Sequence, residues 1–164
     1  MKPLFLFLTV LAVTAFSSLA KAPKPLNGLN ETLTAAANEN KMTFILLGRA
    51  TCGNCNATKS MISKGQVFVT DKDYVMADLN CDDAKVKSRF MKKFGKVKFG
   101  NTLPFVVVTD SQGGILASSG GFKNAAEWNN LLKAAKSKAN KSANTSGTNS
   151  QQSWPFSSPV PTNQ

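Results

Sequence analysis

The sequence predicts an α/β domain with a central mixed four-stranded sheet flanked by helices. Three features carry that expectation. The run Met42 to Leu47 is almost wholly apolar and too short for a helix, which suits a strand buried on both faces of a parallel sheet. A second strand, Tyr74 to Leu79, follows after a helical pattern, and strand, helix, strand in that order implies a right-handed crossover with parallel pairing. Leu103 to Thr109 and Ile115 to Ser119 flank the turn sequence Asp110-Ser111-Gln112-Gly113-Gly114, so the last two strands form a hairpin.

The first twenty residues differ from the rest. Lys2 gives a positive start, Leu4 to Phe16 is an apolar block of about a dozen residues, and Ser18-Leu19-Ala20 puts small residues where a signal peptidase reads them. That block falls short of the roughly 20 apolar residues that span a bilayer, so residues 1–20 are expected to be a signal peptide cleaved after Ala20. The mature chain is then exported, to a periplasm or to the extracellular space. Lys21 to Pro25, with two prolines, reads as an extended lead-in to a domain expected over residues 21–136.

Within that domain, Leu26, Leu29, Leu33, Ala36 and Ala37 recur at helical spacing, with Asn27 or Asn30 as N-cap and Asn38-Glu39-Asn40 as the end. After the strand at Met42, Ala57, Thr58, Met61 and Ile62 continue one face of a second helix that Ser63-Lys64-Gly65 closes. Val67 to Val69 is equally a strand fragment or a packed loop. The third helix takes Asp82 or Asp83 as cap, buries Val86, Phe90 and Phe94, and stops at Gly95, with its lysines read as a solvated face. Lys96 to Thr102 is a loop, and Pro104, lacking the N–H a ladder would use, belongs at a strand start or edge. Gly120-Gly121 turns the chain into a last helix, where Asn124 and Glu127 form a capping box and Trp128, Leu131, Leu132 and Ala135 face the core. Residues 137–164, rich in Ser, Asn, Thr, Gln and Pro with no acid, are expected to be a disordered polar tail. Trp154-Pro155-Phe156 interrupts its polarity as a short candidate docking motif.

A length of 164 residues and 42% hydrophobic content suit one globular domain with extensions. Formal net charge is +11, but the lysines are dispersed and no nucleic-acid motif is present, so the expected partners are not specific nucleic acids. Weak attraction to anionic surfaces is the simpler consequence. A monomer is expected.

Chemistry concentrates at Cys52-Gly53-Asn54-Cys55, which follows the apolar strand across a short loop. A helix that starts at Cys52 leaves its sulfur beside unpaired backbone N–H groups, where a thiolate is stabilised. A free thiol titrates at roughly 8.5, and helix N-termini or C-x-x-C contexts bring it to about 3.5 to 7.5. Cys55, one helical turn on, can then attack a mixed disulfide at Cys52. A merely structural bridge is the competing reading, but so short a loop restricts an unfolded chain little. Metal binding is not expected, because zinc needs four donors and the chain has only one further cysteine, Cys81, and no histidine. No cofactor is implied. Cys81 reads first as a buried, inert thiol and otherwise as a third redox thiol. Arg49 and Lys59 flank the motif as ordinary surface cations or as groups that favour the thiolate.

The order helix, strand, C-x-x-C helix, strand, helix, proline-headed strand, hairpin partner, Gly-Gly and helix resembles the thioredoxin-like superfamily over roughly Leu26 to Lys136, and most closely its exported single-domain bacterial members. The resemblance implies that Cys52 is the attacking thiol and Cys55 the resolving one. It also implies that Pro104 is cis beside the disulfide and that Leu103 pairs by its backbone with an extended substrate segment. Gly53 and Leu103 would supply apolar substrate contact. The chain departs from the family pattern at Thr51 and Asn54, where tryptophan and proline are usual, and at Leu46, where reductases carry a buried aspartate. Asp78, which by strand register stands where that acid's lysine partner is found, is the candidate replacement proton acceptor. The function expected is therefore a thiol–disulfide oxidoreductase acting on cysteines of other exported proteins, with a membrane redox protein as candidate electron partner and the direction of transfer open. The alternative is a thioredoxin-fold binding module whose disulfide is resident and does not turn over.

Overall fold

A computed structural model describes residues 21–147 of the chain. The expected signal peptide, residues 148–164 of the expected tail and the Trp154 motif lie outside the described residues. In order, the elements are α1 (Leu29–Glu39), β1 (Met42–Gly48), α2 (Gly53–Ser63), β2 (Tyr74–Asn80), α3 (Ala84–Phe94), β3 (Phe105–Thr109), β4 (Ile115–Gly120) and α4 (Ala125–Gly147). The sheet order is β2-β1-β3-β4, with β1 parallel to β2 and antiparallel to β3, and β3 antiparallel to β4. This is the mixed four-stranded sheet expected from the hydrophobic runs.

Strand alternation divides the core into two layers. Phe44 and Leu46 of β1 point to one face with Tyr74, Met76, Val106 and Val108, under Ile62 of α2 and Trp128 and Leu132 of α4. Ile45 and Leu47 point to the other face with Ala77, Leu79 and Val107, under Leu29 of α1 and Phe90 and Phe94 of α3. Because both faces of β1 are covered, its sequence reads as a continuous apolar run rather than an alternation. An edge contact of Phe44 on Trp128, with ring centroids 6.0 Å apart, ties α4 to the central strand. On the opposite face Phe90, Phe94, Phe99 and Phe105 form a chain of ring contacts that anchors the loop after α3.

Several boundaries differ from expectation. Leu26 does not belong to α1. It forms an isolated parallel bridge to Ala77, its N–H donating to the Met76 carbonyl at 2.9 Å and its carbonyl accepting from Asp78 N–H at 2.9 Å. Pairing with β2 holds Leu26 out of the helix, which begins only after Gly28. Gly28, rather than Asn27 or Asn30, occupies the N-cap, without a side-chain cap. Val67 to Val69 is a packed loop in which Val67 and Val69 are buried and Phe68 is exposed.

The largest correction concerns the tail, whose first part, Ser137 to Gly147, is helical and continues α4. Composition pointed to disorder there, but Ala135 and Ala139 carry the buried stripe one turn further, and no proline or glycine intervenes before Gly147. Polar contacts add to it, since Lys138 Nζ donates to the Ile115 carbonyl at 2.8 Å and Lys136 Nζ to Asp73 Oδ2 at 2.8 Å. The expected capping box forms, with Asn124 Oδ1 accepting from Glu127 N–H and Glu127 Oε2 accepting from Asn124 N–H. Among the described residues no helix is long and apolar enough to cross a membrane.

The hydrogen bond from Lys136 holds the Asp73 carboxyl below its ordinary value of 3.8, with Thr70 contributing and partial burial opposing. A carboxyl depressed in the folded state contributes stability above its unfolded pKa and loses it as pH falls through the folded one. The Asp73 side chain is 38% exposed, so the contribution is small, below about 1 kcal/mol. An Asp73→Asn chain is expected to melt slightly lower than the native chain at about pH 7 and at the same temperature near pH 2, and calorimetry at the two pH values checks it.

Candidate active site

The site lies where β1 and β2 end and β3 begins, the carboxyl ends of the two parallel strands. After Gly48 the chain makes a tight loop in which Cys52 N–H donates to the Arg49 carbonyl at 3.2 Å and the Asn56 side-chain amide donates to the Ala50 carbonyl at 2.9 Å. These bonds tie the loop to the first turn of α2. Cys52 is the N-cap of that helix in extended conformation, and its sulfur accepts the Cys55 amide at 3.2 Å. Donors left free by the start of a helix are thus directed at Cys52 Sγ, and the first turn of α2 holds no acidic residue to compete.

Cys52 and Cys55 are joined by a disulfide with their Cα atoms 5.3 Å apart. Cys55 is fully buried while Cys52 is half-buried at a surface groove. The two sulfurs therefore differ in their access to solvent. Gly53 and Asn54, between them, are exposed.

Gly48 is a residue the sequence reasoning passed over. A Cβ placed on it would stand 2.8 Å from Cys55 Sγ and 3.1 Å from the Leu46 side chain, so the buried sulfur packs directly on the end of β1. The available signal was a glycine terminating an otherwise apolar strand.

Leu103 and Pro104 are joined by the cis peptide that the resemblance implied. Pro104 is buried, and Leu103 lines the same groove as Cys52. The loop is clamped by one amide, because Gly121 N–H donates to both the Thr102 carbonyl at 2.7 Å and the Pro104 carbonyl at 3.0 Å. Gly121 has a positive φ of 79°, and a Cβ on Gly120 would run into the Phe99 carbonyl oxygen, which explains the Gly-Gly pair. Among the described residues, neither the N–H nor the carbonyl of Leu103 has a hydrogen-bond partner.

Asp78 faces Leu46 across the β1–β2 ladder, on the sheet face covered by α2. Its carboxylate is 28% exposed and pairs with Lys59 Nζ at 3.0 Å. Lys59 stands four residues after Cys55, on the same side of α2, so the ion pair lies about one helical turn from the buried sulfur. Lys59 is thus a partner of Asp78 rather than a free surface cation.

Cys81 is free and, contrary to the reading as a buried thiol, only partly buried, because it sits just past the end of β2 where α3 has not yet covered the sheet. Its N–H donates to the Gly48 carbonyl at 2.7 Å. Its sulfur, as an acceptor for the Arg49 guanidinium, and the charge of Asp82, 3.4 Å from that group, raise the arginine's pKa above its ordinary value. The groove, of about 470 Å³, brings Cys52 and Cys81 together with Arg49, Lys87, Met91 and Leu103. The sequence places Lys87 among the solvent-facing lysines of α3 and gives Met91 no role. No spacing rule separates them from their neighbours. Among the described residues no cluster of three or more His, Cys, Asp and Glu could hold a metal ion.

No protein-family model matches the chain, and no curated protein matches it. Solved structures do. A variant thioredoxin from Halobacterium salinarum NRC-1 superposes with a TM-score of 0.52 at 16% identity, covering 71% of this chain and 94% of that one. An uncharacterised thioredoxin-like protein from Clostridium perfringens gives 0.51 at 16% identity over 78% and 91%. Thioredoxin f from spinach chloroplast gives 0.51 at 15% identity over 74% and 97%. The chain has the thioredoxin fold, and the resemblance drawn from the order of its elements is borne out at that level.

Contact between Gly48 and the buried sulfur yields a direct expectation. Gly48→Ala forces Cys55 or Leu46 to move and should lower the stability of the oxidised chain by about 1–3 kcal/mol in urea unfolding. Gly53→Ala, whose Cβ meets nothing within 4 Å, should stay within about 0.5 kcal/mol of the native chain.

Proposed function

We propose that the chain is a thiol–disulfide oxidoreductase working through Cys52 and Cys55 on cysteines of other exported proteins. The observation that carries this reading is the asymmetry of the pair: Cys52 half-exposed at a helix N-terminus with its sulfur receiving the Cys55 amide, Cys55 fully buried behind it. In the reducing direction the Cys52 thiolate attacks a substrate disulfide, and the substrate's second sulfur leaves as a thiolate. Cys55, deprotonated, then attacks Cys52 Sγ, the substrate's first sulfur leaves as a thiolate and takes a proton, and the Cys52–Cys55 disulfide remains. Two electrons pass to the substrate. The oxidising direction is the same sequence reversed, starting from the disulfide.

In this reading Leu103 and the preorganised turn at Pro104 receive the substrate as an extended strand, the free N–H and carbonyl of Leu103 supplying the ladder bonds. Asp78 takes the proton from Cys55. It stands in for the acid that Leu46 does not provide, and its carboxylate is paired with Lys59 Nζ at 3.0 Å. Cys81 stays outside the cycle. Export rests on the leader pattern of residues 1–20, and an envelope protein that exchanges electrons with the Cys52–Cys55 pair completes the cycle.

Two experiments test the reading. A Cys55→Ser chain is expected to accumulate mixed disulfides at Cys52 with cysteine-containing proteins of the same compartment, detected by non-reducing gels and mass spectrometry. A chain that traps nothing has a resident disulfide and is a binding module. For the proton acceptor, Asp78→Asn is expected to shift the pH profile of turnover by about one unit or more and to slow resolution by Cys55 near neutrality. An unchanged profile removes Asp78 from the mechanism.

A further inference from the structure

We propose that the oxidoreductase selects substrates whose reactive cysteine is flanked by acidic residues, which dock along α3 beside the groove at Cys52. This rests on the redox reading above and names its substrate class.

The charge distribution is the starting point. Ala84 to Thr109 holds seven of the chain's 20 lysines and arginines and none of its nine acids. This stretch is α3, the loop after it, the cis-proline turn and β3, and it forms one wall of the groove through Lys87, Met91, Asn101, Thr102 and Leu103. No carboxylate lines that groove.

Outside this stretch four cations, one of them on the groove, have acidic partners. Lys41 pairs with Glu39, Lys59 with Asp78, Lys136 with Asp73, and Arg49 at the opposite groove wall with Asp82. Asp83, the acid nearest α3, is occupied as its N-cap, accepting from the amides of Lys85 and Val86. On α3 itself Lys85, Lys87, Arg89 and Lys92 are exposed and have no ion-pair partner among the described residues. Lys87 on the groove wall, backed by the unanswered cations on the outer side of the same helix, concentrates anionic partners near the attacking sulfur and raises their encounter rate. Met91, 39% exposed beside Lys87, adds an adaptable apolar contact. An extended segment paired to Leu103 and carrying its cysteine at Cys52 would lay its neighbouring residues against this wall.

The test uses the full Cys55→Ser chain and two peptides of equal length, each with one cysteine blocked by thionitrobenzoate and flanked by aspartates in one and lysines in the other. Attack by the Cys52 thiolate on the peptide sulfur forms the mixed disulfide and releases the coloured thionitrobenzoate thiolate, which reports the rate. The acidic peptide is expected to react about tenfold faster at low salt, and the ratio should fall toward one at about 0.5 M salt. Reversing Lys87, Arg89 and Lys92 together to glutamate should invert the preference. Reversing Lys24, Lys64 and Lys133, which changes net charge equally but lies off the groove, should leave it. Equal rates for the two peptides, or a ratio that follows net charge in both triple variants, overturn the selectivity while leaving the redox reading intact. Failure of Cys52 to react with either peptide overturns both. Sedimentation with phosphatidylglycerol vesicles that the α3 reversal abolishes, together with equal peptide rates, assigns the face to lipid and overturns the proposal.

Discussion

Everything at the site depends on the end of β1. That strand is covered on both faces and hydrogen-bonded on both sides, so its position is the least adjustable in the molecule. Its last residue, Gly48, touches the buried sulfur of Cys55, and its carbonyl receives the amide of Cys81 from the adjacent strand. The loop that follows must therefore turn at once into α2, and Cys52 falls at the N-cap. A mobile loop could present the same two cysteines, but it could not keep one sulfur in the core and the other at the surface. The difference between the two thiols originates in packing and is only then refined by the helix terminus.

The opposite wall is fixed by a different device. The turn at Pro104 is held by Gly121, whose single amide donates to the Thr102 and Pro104 carbonyls. Glycine at 120 and 121 lets the backbone approach the 99–104 loop closely, and the ring contacts of Phe99 with Phe90 and Phe105 secure that loop from behind. Backbone groups at Leu103 are left unpaired in consequence, and in the proposed function these are the groups that meet a substrate strand.

Features that depend on local spacing were legible in the sequence. The Cys52–Cys55 pair, the strand at Met42, the capping box at Asn124 and the hairpin turn at Asp110 each follow from residues within a few positions of one another. Features created by packing between distant segments were not. Nothing near Gly48 in sequence announces Cys55 as its contact, and nothing on α3 marks Lys87 and Met91 as groove residues rather than solvent-facing ones. Residues 137–147 were misread for a related reason: composition there is polar, yet a helix already docked through Trp128 and Leu132 needs only an occasional alanine against the core to continue. Leu26 went the other way, its helical spacing overridden by pairing with β2.

The exchange of Leu46 and Asp78 shows how the fold tolerates a rearranged site. Placing the carboxylate on β2 instead of β1 moves it from the fully covered central strand to one that leaves it 28% exposed, while the parallel register keeps it on the same rung. A lone carboxylate on that face of the sheet would lose hydration without gaining a partner. Lys59 prevents that, and it does so from the helix that carries the cysteines, one turn beyond Cys55. The apolar Leu46 then packs beside Gly48 next to the sulfur, so Cys55 is shielded by hydrocarbon on the strand side, while Asp78 stands on the same rung of the neighbouring strand. In the proposed mechanism, exclusion of water from the resolving thiol and removal of its proton fall to different residues, Leu46 and Asp78. Each can then be altered by substitution at its own residue.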